Sequence, residues 1–294
     1  MQSKRTIFPN TFLPYALLAP QLAITIIFFI WPAAQAVWMS FLREDPFGFR
    51  TTFIWFQNYA RLFSDPTYVD AIGRTALFAG CVTLISMSVS LLLAVCVNRL
   101  LHSGRFYTTL LVWPYAVAPV VAGVLWWFMF NPTIGILPYI LEGFGIRWNH
   151  RIDSTDAMIL IIIAASWKQV SYNFLFFVAG LQSVPRSVLE AAAIDGAGPV
   201  KRFWTIVFPL LSPTTFFLMI VNINYAMFDT FGIIDGTTIG GPAGSTEILV
   251  YKVYVDGVMG LELGSSSAQS VVLMLIVLAL TVIQFRYVER RVQY

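Results

Sequence analysis

Residues 189–204 read LEAAAIDGAGPVKRFW. The stretch is small-sided and charged, and it stands between long runs of Leu, Ile, Val and Phe. Ala191, Ala192 and Ala193 are strong helix formers, so the sequence predicts a helix from Glu190 to about Ile194. Asp195-Gly196 ends it, because glycine enters the left-handed conformation that closes a helix at little cost. Pro199 suits the first position of a second short helix, and Phe203, Trp204 and Val207 then lead toward an apolar surface. The expected unit is a small helix–turn–helix, too short and polar to cross a membrane. It is either a docking surface for another protein or an ordinary interfacial loop.

The rest of the chain explains why such a segment stands out. Its 294 residues are 58% hydrophobic and 11% charged, with a mean hydropathy of +0.74. A soluble domain carries about 25% charge. A core of this size cannot hide so much apolar surface, so lipid must solvate part of it. Six apolar segments have spanning length, near 13–36, 73–97, 107–130, 157–181, 207–230 and 266–286. The expected fold is an all-α membrane protein with six transmembrane helices. The first segment is preceded by Lys4 and Arg5, but its apolar run is too long for a cleaved signal peptide and is read as a retained helix. Cys81 and Cys96 lie about 22 Å apart along one helix, beyond disulfide reach. His102 and His150 fall in different loops, and no metal-ligand spacing occurs.

Charge sets the orientation. With the N-terminus in the cytoplasm, that side holds Lys4, Arg5, Arg99, Arg105, Arg186, Lys201, Arg202, Arg286, Arg290 and Arg291 against Glu190, Asp195 and Glu289. The other side holds seven cations and twelve acids in longer loops. Both termini, and residues 189–204, are therefore expected in the cytoplasm. No basic tail points to nucleic acid. Ser86, Ser90 and Ala94 form a small-residue stripe suited to close helix packing. Pro114, Pro119, Pro209 and Pro213 can kink spans where neighbours satisfy the freed carbonyls.

A few polar residues sit at membrane depth. Lys168 lies near mid-span, where a charge costs about 2.5–3.5 kcal/mol on insertion scales. Lys168 and Tyr172 share a helix face, and Gln169 and Asn173 share the adjacent one. In the fifth segment Asn222 and Asp229 are two turns apart and are expected on one face, with Asn224 nearby. These seven residues either line a solute path or bond one another between helices. The GxxxxGK[ST] phosphate loop is absent: GAGPVKR (196–202) lacks the second glycine, and Pro199 removes an amide. No nucleophile elbow, zinc motif or acid pair suggests an enzyme. An ion-driven secondary transporter would show internal repeats and deep coupling carboxylates, and Asp229 is too near the span end to serve.

Glu190-Ala191-Ala192, Asp195-Gly196-Ala197, and then Phe203, Ile206, Pro209 and Pro213 resemble the EAA loop of permease subunits of binding-protein-dependent ABC importers. WPYAVAPVVAGVLWWFMFNPTIGIL (113–137), NFLFFVAGLQSVPRSVLEAAAIDGAG (173–198) and GGPAGST (240–246) resemble the sugar-type branch. LPYALLAPQL (13–22), WKQVSYNFLFF (167–177), AQSVVLM (268–274) and QFRYVE (284–289) look most like the sn-glycerol-3-phosphate importers within it. The resemblance implies a type I importer permease fold, with an N-terminal helix and outer loop over 1–70 and an importer core over 71–286. The coupling loop would span about 183–213, and Glu190, Ala191, Ala192, Asp195, Gly196 and Ala197 would meet the ATPase. The implied partners are a second permease subunit, an ATPase dimer carrying ATP and Mg, and a periplasmic binding protein, in the bacterial inner membrane. The implied solute is sn-glycerol-3-phosphate, with glycerophosphodiesters possible and a neutral sugar or oligosaccharide as the alternative. No catalytic residue or cofactor is expected on this chain.

Overall fold

Four helices are long and apolar enough to cross a bilayer: α1 (Leu13–Met39), α3 (Pro66–Asn98), α7 (Ser154–Ser183) and α13 (Leu263–Arg286). A short helix α2 (Gln57–Ser64) precedes α3. The computed structural model describes residues 12–44, 50–98 and 104–288. Lys4, Arg5, Arg99, His102, Glu289, Arg290 and Arg291, all used above, lie outside the described residues. The described residues fall into two compact units, those within Met1–Leu62 plus Val255–Val272, and those within Phe63–Tyr254 plus Leu273–Tyr294.

The first unit holds α1, none of whose residues from 13 to 39 is buried, as expected of a helix solvated by lipid. A two-stranded antiparallel ribbon, β1 (Leu42–Glu44) with β2 (Thr51–Phe53), follows. The buried Asn58 secures it by donating to the carbonyls of Ser40 at 2.8 Å and Leu42 at 2.9 Å.

The second unit is helical, and here the third and fifth apolar segments depart from expectation. Neither is one continuous helix. The third is α4 (Gly104–Val112), a 3-10 turn at Trp113–Ala116, and α5 (Pro119–Met129), with a 102° bend. The fifth is α9 (Pro199–Leu210) and α10 (Ser212–Asp229), bent by 66°. Six spans result only when each bent pair counts as one. Proline causes both breaks. Pro119 pushes Ala118 to an extended ψ of 142° and starts α5 at its first turn. Pro209 and Pro213 bracket the corner at Leu211, and Pro213 lies in the first turn of α10. The helix expected at Glu190–Ile194 is present as α8 (Arg186–Ile194), and the outer connections are more ordered than read: α6 (Ile136–Gly143), α11 (Phe231–Thr237) and α12 (Leu249–Tyr254) are helical. Asp153 caps α7, its carboxylate accepting from the amides of Thr155 at 2.7 Å and Asp156 at 3.1 Å.

The core lies where α3, α7 and α10 meet. Ala94 and Val97 pack with Phe174, Phe177, Leu181, Leu211 and Leu218. Ser86, Ser90 and Ala94 are fully buried, so the small-residue stripe does face other helices. Cys81 and Cys96 are free thiols on α3.

Candidate functional site

The loop quoted at the outset folds as its residues dictate. Helix α8 ends in a Schellman motif: Gly196, at φ 78°, donates its amide to Ala193 at 3.1 Å, and Ala197 donates to Ala192 at 2.9 Å. Gly198 then occupies the N-cap position and Pro199 opens α9. Arg202 reaches back and donates from Nη1 to the Leu189 carbonyl at 3.3 Å, tying the two helices together. Glu190, Ala191, Asp195 and Gly196 are exposed, and Ala192 and Ala197 are half-buried. A Cβ built on Gly196 would meet nothing within 4 Å. The requirement for glycine within this chain is therefore its backbone angle. Two residues that the sequence reading passed over stand out here: Ile194 is 87% and Val200 71% exposed. Two large apolar side chains thus stand exposed beside a tight turn. Their signal in the sequence was an isoleucine and a valine inside an otherwise small and polar loop.

The seven polar residues divide into two groups. Lys168, Gln169, Tyr172, Asn224 and Asp229 line a single cavity of about 670 Å³, together with Tyr115, Pro119, Ile220, Val221 and Tyr225. Lys168 lies halfway along α7, so the cavity opens near the middle of the span. Its Nζ donates to the carbonyls of Tyr115 at 2.9 Å and Val117 at 2.7 Å, and it stands 5.4 Å from the centre of the Tyr115 ring. Tyr115 packs on Tyr172, with ring centroids 5.6 Å apart. Asn224 donates to its own helix at the Ile220 carbonyl, and the Tyr225 hydroxyl donates to Ala165 at 3.3 Å.

Asn173 and Asn222 lie outside this cavity, both fully buried. Asn222 Nδ2 donates to Asn173 Oδ1 at 2.8 Å, and Asn173 Nδ2 returns a bond to Asn222 Oδ1 at 3.0 Å. Ser86 Oγ adds a third at 2.7 Å, so one amide pair joins α3, α7 and α10. This is the helix-bonding alternative for both residues. The expectation that Asn222 and Asp229 share a face fails. A wide π turn at Tyr225–Asp229 inserts about one residue, roughly 100° of rotation, and carries Asp229 to the cavity while Asn222 stays inside.

A close helix contact also went unread. A Cβ on Gly236 would sit 2.5 Å from the Val120 carbonyl, and one on Gly123 would sit 2.7 Å from that of Ile233. Gly232 and Gly236 are a GxxxG pair on α11, the pattern that lets backbones touch. It backs the α5 half of the broken span. Among the described residues, no group of three or more His, Cys, Asp or Glu side chains could hold a metal ion.

The cavity is large enough for a small solute. Its volume lies within the usual range for ligand sites, about 300–1,000 Å³. It offers one ammonium, one carboxylate, two amides and aromatic rings.

Comparison with known proteins agrees with this architecture. Residues 103–294 match the family described as binding-protein-dependent transport system inner membrane component. The chain is 58% identical over 291 residues to the sn-glycerol-3-phosphate transport system permease protein UgpA of Brucella suis biovar 1, covering 99% of each chain. It is 54% identical over 294 residues to the permease of the same name from Escherichia coli, covering all of both. Among solved structures, a bacterial ABC transporter chain involved in the import of the acidic polysaccharide alginate superposes with a TM-score of 0.83 at 20% identity, over 95% of this chain and 96% of that one. A chain of the MetNI methionine ABC transporter superposes with a TM-score of 0.54 at 15% identity, over 76% of this chain and 96% of that one. The fold is that of an ABC importer permease.

Proposed function

This chain belongs to the binding-protein-dependent transport system inner membrane components, and on that premise we propose that it is the permease subunit that passes sn-glycerol-3-phosphate across the inner membrane by alternating access. The observation that carries the solute is the likeness to sn-glycerol-3-phosphate permeases at 53–58% identity from end to end. The cavity supports it. The Lys168 ammonium attracts a phosphate, Gln169, Tyr172 and Tyr115 offer neutral donors, and Asp229 accepts from the glycerol hydroxyls. Family membership also sets aside the ion-gradient-driven transporter.

In this reading 71–286 is the importer core and 1–70 an N-terminal addition. Both termini face the cytoplasm, where the positive charge gathers. Residues 183–213 form the coupling loop. Glu190, Ala191, Ala192, Asp195, Gly196 and Ala197 seat on an ATPase subunit, with Ile194 and Val200 filling its apolar recesses. The ATPase dimer binds and hydrolyses ATP with Mg, a second permease subunit completes the path, and a periplasmic binding protein delivers the solute to the outer loops. Closure of the ATPases moves the loop, and the loop moves α9 and α10. This chain makes and breaks no covalent bond.

The test is the ATPase rate of the reconstituted complex with its binding protein. sn-Glycerol-3-phosphate is expected to stimulate it at least several-fold, and a glycerophosphodiester less. Stimulation by a neutral sugar but not by the phosphate ester would overturn the assignment in favour of the neutral-sugar alternative.

A further inference from the structure

We propose that Lys168 is a positioning residue as well as a solute contact: its ammonium stands in for a backbone donor that the broken span cannot supply, and thereby holds the 102° break between α4 and α5. In an unbroken helix the amide of residue 119 would donate to the carbonyl of residue 115. Residue 119 is proline and has no N–H, so the Tyr115 carbonyl loses its partner. Two residues on, Val117 takes a ψ of 130° and turns its carbonyl off the helical ladder as well. Both acceptors lie beside the cavity near mid-span, where backbone that leaves the helical ladder needs a partner from protein or cavity water. Lys168 donates to both, at 2.9 and 2.7 Å, and the Tyr115 ring lies 5.4 Å from the same nitrogen. No other hydrogen bond to either carbonyl is recorded among the described residues.

An ammonium has three donors, so one remains for the cavity that Lys168 also lines. The charge that meets the solute and the strut that shapes the wall are therefore one atom. A residue needed only for its charge would show as a loss of affinity for an anion. A residue needed as a donor to two carbonyls would show as a change in the backbone, with or without solute. The effect on uptake rests on the proposed solute path, whereas the effect on the break does not.

The experiment measures the distance between spin labels at Phe106→Cys and Phe128→Cys, exposed positions on the two halves of the span, in the assembled complex without solute. Cys81 and Cys96 are first changed to alanine. Lys168→Met is expected to shift or broaden the distance distribution, and Lys168→Arg, which keeps the donors, to return it toward that of the parent. In uptake, Lys168→Met is expected to lower turnover at saturating solute by tenfold or more, beyond any rise in KM. An unchanged distribution in Lys168→Met overturns the proposal, as does a shift that Lys168→Arg leaves uncorrected. Should Lys168→Met not assemble, the shorter Lys168→Ser, which cannot reach either carbonyl, makes the same comparison. A complex that shows the distance change but ignores sn-glycerol-3-phosphate would refute the solute and leave the strut standing.

Discussion

The loop at 189–204 and the cavity around Lys168 are built by opposite means. The loop is closed by bonds among near neighbours in sequence: Gly196 to Ala193, Ala197 to Ala192, Arg202 to Leu189. The cavity draws its wall from three stretches, at 115–119, 168–172 and 220–229, and its shape depends on where two helices break. A local unit tolerates change inside the chain, and in the proposed docking it fails at its partner. A composite wall fails when any helix that carries it shifts.

Gly196→Asp is the sharpest way to break that contrast. A non-glycine residue in the left-handed region costs roughly 1–2 kcal/mol, which a membrane-embedded chain survives. Space is open around Gly196 within the chain, so the added carboxylate clashes with nothing of this chain and would meet only the proposed ATPase partner. Transport is expected to fall at least a hundredfold and ATPase co-purification to collapse, with membrane insertion unchanged. Undiminished co-purification and uptake would show that the loop is not a docking surface.

Gly236→Ala probes the composite side. Its new methyl lands 2.5 Å from the Val120 carbonyl, so α5 and α11 must part. Overpacking of this kind costs about 1–3 kcal/mol, and the melting temperature of the purified complex is the readout. An unaltered melting temperature would mean that this contact does not hold the α5 half in place. Asn222→Leu follows. It leaves the buried Asn173 amide unpaired, at about 1–3 kcal/mol, while the Ser86 hydroxyl keeps its bond to the Val82 carbonyl, and it should lower stability with little change in KM. Replacing Asn173 by Leu as well should recover part of the loss. A raised KM at undiminished stability would move Asn222 to the solute wall and erase the division between the two groups.

The smallest effect lies between the spans. His150 is buried, and burial lowers its pKa below the ordinary value of 6.5. The folded chain thus prefers the neutral ring, while the unfolded chain takes a proton first as the pH drops. Stability is fully present above about 6.5 and declines as the pH falls from there toward the folded value. His150→Leu should flatten the melting-temperature profile between pH 7 and pH 5 by a degree or two. A profile of unchanged steepness would assign the acid sensitivity to other groups.

What the sequence discloses follows the same line. Apolar runs locate every span, because hydropathy sums over many residues and one error changes little. Alanine, glycine and proline in the loop disclose its turn, because each acts on its own backbone. The corner at Leu211 was legible only as a risk, since proline neighbours permit a kink without fixing its angle. The partners of Lys168 were not legible at all: two carbonyls some fifty residues away carry no side-chain signature. The π turn at Tyr225–Asp229 hid for a related reason, because residue spacing presumes 3.6 residues per turn. The glycine pair on α11 was visible as a pattern, yet it sits in a segment that reads as a loop.

In the proposed coupling, the corner at Leu211 acts as a bell crank. Leu211 is buried in the core cluster, a seated pivot with one arm on each side. Twelve residues from Pro199 to Leu210 give an arm of about 18 Å that ends at the loop, and eighteen from Ser212 to Asp229 give one of about 27 Å that ends in the cavity. With the 66° corner held stiff, a push at the loop arrives at Asn224 and Asp229 turned in direction and lengthened by up to about one and a half times. On that reading a modest stroke at the loop becomes a larger sideways swing at the cavity wall.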